Sequence, residues 1–185
     1  KASSTNGIIS LILDLDRISV KGLAVSGWKA VGTEKTVTHS AGSWIYTIDD
    51  KPAIEVIQKF IGSAAYEGDQ TADIVKLNLT YPLQFLRPGG SPKMLPTILL
   101  NKADQSVMMG GSFSQGSTFR FSLPPDFDVV DMVIESSKQV KATELPDADA
   151  LLVFSCVGRM ESLGPMAEME VGGLAEVWKK PMIGF

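Results

Sequence analysis

The chain has 185 residues, with 17 Lys and Arg against 21 Asp and Glu, one His and one Cys, for a net charge of −4. That balance excludes a charge-driven hold on DNA, RNA or an anionic membrane, which needs clustered cations. One cysteine excludes an intramolecular disulfide framework or a cysteine zinc cage and suits a reducing compartment. With 44% hydrophobic residues, 17 Gly and 10 Pro, the composition is that of a globular protein large enough to bury a core without staples. No run of about 18 apolar residues offers a membrane span. The chain opens on Lys1 with no charged-then-apolar leader, so the expectation is a cytoplasmic piece of a longer protein.

In chain order, residues 7–13 form a short apolar run and residues 19–26 alternate loosely, so both predict strands. A turn-rich stretch follows from Gly27 to Gly32. Residues 36–39 and 44–48 are rich in β-branched and aromatic side chains around Ala41-Gly42-Ser43, which predicts a hairpin. Asp50 as N-cap and Pro52 in the first turn introduce a helix carrying Ala53, Ile54, Val56, Ile57, Phe60 and Ile61 on one face, stopped by Gly62. Residues 63–76 carry no clear pattern. Residues 77–83 read as extended ahead of Pro82, and residues 87–92 as a loop. Strands are predicted at 97–101, 106–109 and 118–123. A second helix, capped by Asp126 or Asp128, carries Val130, Val133, Ile134 and Val140. The unbroken apolar run 150–156 predicts a strand buried on both sides. Helix is predicted over 161–177, punctured at Gly164-Pro165 and Gly172-Gly173, and a strand starts at 181. The class is α+β: an antiparallel β-sheet with two to three covering helices.

The chain lacks most signatures of catalysis. One His cannot build a paired metal site, and no Gly-x-Ser-x-Gly elbow, Walker motif or Gly-x-Gly-x-x-Gly is present. Asp14 and Asp16 read as a solvated pair, and Asn78-Leu79-Thr80 is a glycosylation sequon without a secretory context. The segment Phe154-Ser155-Cys156-Val157-Gly158-Arg159 is the most suggestive. A strand end with free N–H groups followed by an arginine suits a carboxylate or phosphate ligand. Arg159 equally suits a structural pair with Glu161, Glu168 or Glu170. Cys156 is either a thiol activated by the neighbouring cation or an inert small side chain. His39 is a haem or metal ligand, or an ordinary hairpin residue. Trp28, Trp44 and Trp178 suit core or interface anchors, and the eight Met suit adaptable packing.

Taken together, Gly27-Trp28-Lys29-Ala30-Val31-Gly32, Val37-Thr38, Tyr46 to Ala53, Tyr81-Pro82-Leu83, Ala150 to Arg159, the Glu168–Glu170 region and Pro181 to Phe185 resemble, in that order, the C-terminal half of the FIST domain. This is a sensory module of bacterial signalling proteins and eukaryotic F-box proteins. The resemblance covers residues 27–185, taken as the FIST C-terminal domain truncated at its end, with residues 1–26 as the tail of a preceding FIST N-terminal region. It implies an intracellular sensory domain without catalysis, binding amino acids or similar small carboxylates and passing the signal to downstream domains or proteins. The matching positions are Ser155, Cys156, Gly158 and Arg159, with Glu168 or Glu170 after them. Two alternatives stand beside it: a protein-interaction module of the F-box type, and a haem-bound nitric-oxide sensor ligated through His39 or Cys156. No other cofactor is expected.

Overall fold

The computed structural model describes residues 8, 10–62, 80–126 and 128–184. Its framework is a long strand, β1 (Lys29–Ala41), that belongs to two half-sheets. The strands β2 (Trp44–Ile48), β3 (Lys51–Pro52), β4 (Leu83–Arg87), β5 (Gly90–Leu95), β6 (Thr97–Asn101), β7 (Ser106–Met109) and β8 (Thr118–Leu123) join it in the spatial order β5-β4-β8-β1-β2-β7-β6, with β3 added to β2. Every pairing in this sheet is antiparallel. Residues 29–36 of β1 face β8, and residues 37–41 face β2. The register slips between Val31 and Lys35, where Gly32 sits at φ +71°. This bulge bends β1 from one half-sheet into the other.

The sheet curls, and its two edge strands, β5 and β6, are separated in sequence by Pro96 alone. That corner is tight. The Gly110 N–H donates to the Pro96 carbonyl at 2.8 Å, and a Cβ on Gly111 would stand 2.6 Å from Leu95 Cδ2. The core inside the curl comprises Val37, Ile45, Ile48, Leu83, Phe85, Leu95, Val107, Met109, Phe119 and Phe121, closed by helix α1 (Ala53–Ile61) through Ala53, Ile54 and Ile57. These three helix residues share a face because the spacing follows the 3.6-residue turn. On the opposite face Lys59 donates to Glu55 at 2.7 Å.

Three further helices, α2 (Val129–Thr143), α3 (Val157–Leu163) and α4 (Met166–Trp178), pack on one another around Val129, Val130 and Leu163. Trp178 in α4 donates its indole N–H to Ser137 in α2 at 2.6 Å. Between and after them, β9 (Leu151–Val153) and β10 (Met182–Gly184) pair as a separate two-stranded parallel sheet. The protein is α+β, with an antiparallel main sheet.

Several local expectations are corrected. The described residues of 7–13 and 19–26 form no strand, because no neighbour pairs with them; Leu11, Ile12 and Val20 stay exposed. The stretch 27–32 enters β1 through the bulge instead of remaining a turn. Asp50 is not an N-cap: Asp49 and Asp50 lie at φ +48° and +62° in a two-residue hairpin turn between β2 and β3, the geometry of a primed turn, and Pro52 precedes α1. Of the loop 87–92, Gly90 onward is strand β5. The run 150–156 yields a three-residue strand that is not buried on both sides, with Leu152 51% exposed. Helix begins at Val157, before Arg159, and breaks at Gly164, where φ is +54°. Residues 63–79 lie outside the described residues.

Candidate functional site

Arg159 is anchored in the first half of α3, where the chain turns from β9 into helix. Only 7% of it is exposed. Glu170, in the facing stretch of α4, is 8% exposed, and the two form a fork. Arg159 Nε donates to Glu170 Oε1 and Oε2 at 3.0 Å each, and Nη2 donates to Oε2. A planar guanidinium suits this bidentate grip where a lysine would not. The remaining nitrogen, Nη1, donates to the carbonyls of Ser26 at 2.6 Å and Val25 at 3.2 Å. One buried cation therefore ties α3, α4 and the segment leading into β1.

That segment is held at three successive points. After Val25 and Ser26 meet Arg159, Gly27 takes φ +79° and passes so close to α2 that a Cβ there would lie 2.3 Å from Val129 Cγ2. Trp28 then donates its indole N–H to the Thr80 carbonyl at 2.8 Å, while its own carbonyl accepts from Gln84 Nε2 at 3.1 Å. Arg159 is thus joined by hydrogen bonds to a segment that runs through residues 25–28 directly into β1.

Of the residues expected at a site, Gly158, Arg159 and Glu170 come together in the interior. Glu168 lies exposed on α4, one side of the helix away from Glu170. Ser155 is half-buried ahead of α3. Cys156 is a free, exposed thiol at the position preceding α3. His39 is exposed on β1 and stacks on Tyr46 with ring centroids 4.9 Å apart. Neither of the two described cavities is lined by His39 or Cys156. The larger cavity, about 740 Å3, is an apolar groove between α2 and α4 floored by Ile134, Gly173 and Val177. At its rim Lys141 Nζ donates to the Val177 carbonyl at 2.7 Å and sits 5.8 Å from the Trp178 ring centroid. Among the described residues no cluster of three His, Cys, Asp or Glu forms a metal site, and no helix is long and apolar enough to cross a membrane.

Sequence reasoning missed the carbonyls of Val25 and Ser26, because a backbone acceptor has no residue-type signature. Gly27 beside Trp28 was the available hint, a residue tolerant of positive φ next to a large anchor.

The family model for the FIST C domain matches residues 53–185 of the chain. No curated protein and no solved structure matches it.

Proposed function

The chain belongs to the FIST C-domain family, and from that premise we propose that it is a non-enzymatic sensory module of signal transduction whose ligand is an amino acid or a similar small carboxylate. The observation that supports this reading is the buried fork of Arg159 and Glu170, with Arg159 also holding residues 25 and 26. A buried ion pair resists any visitor that removes one partner, since the other charge is left uncompensated. An amino acid brings both charges at once: its carboxylate replaces Glu170 on the guanidinium, and its ammonium replaces the guanidinium on Glu170. Exchange keeps every charge paired, whereas a simple carboxylate strands Glu170. Opening the fork loosens the grip on Val25 and Ser26, so the bound and free states differ along the route to β1. Such a difference in affinity between two states is what lets a ligand signal.

Thermal unfolding against free amino acids, simple carboxylates and simple amines tests the proposal. A ligand at about 100 times its Kd adds about 2.7 kcal/mol, a rise of roughly 2–4 °C for a chain of this size. The expected result is a rise for amino acids that Glu170→Gln shifts toward simple carboxylates. A flat panel overturns the reading.

A second reading, a protein-interaction module, is favoured by the exposed apolar residues Leu152, Phe154, Val157, Met160 and Ile183. They come from β9, α3, β10 and the chain between β9 and α3, and exposed apolar surface of this kind suits a partner.

A further inference from the structure

A cleft of about 270 Å3 lies on the sheet side of the molecule, where β1, β3, β8 and α1 meet. Its apolar wall is the pair Phe60 and Phe121, stacked with ring centroids 4.2 Å apart and planes 16° from parallel. Phe121 is buried, and Phe60, on the last turn of α1, is half-buried. Around this wall stand Lys35 from β1, Lys51 from β3 and Lys59 from α1, with Asp49 as the carboxylate lining the cleft. A chain of net charge −4 thus lines one concave point with three lysines, two of them paired with a carboxylate and one not. Lys35 is engaged with Asp49 at 2.9 Å and Lys59 with Glu55 at 2.7 Å. The Lys51 side chain makes no hydrogen bond or ion pair among the described residues. Its charge is felt at both Asp49 and Glu55, so it stands at the cleft without being consumed by either.

We propose that this cleft is a second binding site, for a small planar aromatic anion: one or two fused rings bearing a carboxylate or phosphate. The ring face or edge packs on the Phe60–Phe121 wall in an offset or edge-on arrangement. The anion lies toward Lys51, beside a low-dielectric wall that strengthens the attraction. The volume, about 270 Å3, falls just below the usual range for ligand sites, which selects a compact ligand over a dinucleotide or a peptide. The site is built from elements other than those that hold Arg159, and it stands whether or not the amino-acid reading does.

Isothermal titration of the whole chain with 2-naphthoate tests it, beside the neutral 2-naphthalenemethanol, the non-aromatic cyclohexanecarboxylate and inorganic phosphate. The expected result is saturable 1:1 binding of 2-naphthoate, at least about fivefold tighter than any of the three controls and weakened by salt. Lys51→Gln, an exposed change away from the core, lowers the affinity at least about fivefold, while Lys102→Gln, in the exposed turn between β6 and β7, leaves it unchanged. Equal binding of the neutral ring means an apolar cleft without anion recognition and overturns the proposal. Equal binding of phosphate or cyclohexanecarboxylate, an unaffected Lys51→Gln variant, or no binding of 2-naphthoate overturns it as well.

Discussion

Arg159 shows how one side chain can organise three segments. Its truncation to Ala leaves Glu170 buried without a counter-charge and frees the carbonyls of Val25 and Ser26. A loss of about 3–5 kcal/mol is expected, measured by urea unfolding. The double variant Arg159→Met with Glu170→Leu removes both charges and keeps volume, so it is expected to lose markedly less. Equal losses for single and double variants would mean that the carbonyl contacts, and not the charge pair, carry the energy. In the turn between β2 and β3, burial works to raise the Asp49 carboxyl, but the Lys35 hydrogen bond, the Thr36 N–H and the charges of Lys35 and Lys51 outweigh it and hold it below its ordinary value of 3.8. A carboxyl lowered by folding contributes stability above its unfolded value and loses it as pH falls through its folded value. Acid unfolding monitored below pH 3.8 should therefore be shallower in Asp49→Asn than in the parent chain.

At the scale of elements, the adjacent glycines of α4 offer an internal control. A Cβ on Gly172 would meet nothing within 4 Å, whereas one on Gly173 would lie 2.3 Å from Ile134 Cδ1 and 2.7 Å from Ile134 Cγ1 on α2. Gly172→Ala is expected to stabilise the protein by about 1 kcal/mol, the helix-interior preference for Ala. In Gly173→Ala the same gain is offset by overpacking between α2 and α4, so its unfolding free energy from denaturant titration should fall below that of Gly172→Ala by at least about 1 kcal/mol. Matching values would show that α2 yields at this crossing. Both glycines read alike in sequence, as punctures in a helix; only the approach of α2 distinguishes them.

Across the whole molecule, the main sheet and the β9–β10 pair differ in support. The main sheet wraps a continuous apolar core that α1 closes. The parallel pair has two short strands with Leu152 and Ile183 51% and 71% exposed, and isolated two-stranded sheets are marginal in water. Native-state hydrogen exchange should find the β1 and β8 amides opening only near the global unfolding free energy, and those of β9 and β10 opening far below it. Uniform protection would mean that the two sheets unfold together. The same pair carries the exposed apolar residues of the interaction reading, so a partner that covers them should slow exchange there first.

Much of this was legible in the residues because it depends on local pattern. The strands at 97–101, 106–109 and 118–123, the hairpin around Gly42 and the amphipathic face of α1 follow from alternation, turn chemistry and helical period, and the structure places them there. The pairing of Arg159 with one of three nearby glutamates was readable as a possibility for the same reason. Which glutamate answers depended on the break at Gly164, which folds α4 back along α3 and turns Glu170 inward while Glu168 stays in water. The run 150–156 and the two N-terminal apolar stretches read as strands, yet strand formation needs a neighbour to take the N–H and C=O groups. Propensity cannot supply that neighbour; the tertiary arrangement gave a partner strand to Leu151–Val153 alone and none to residues 19–26. The lysine cleft belongs to the same class. Residues 35, 51 and 59 are unrelated in sequence, and only the bend of β1 and the turn at Asp49-Asp50 bring their charges to one point.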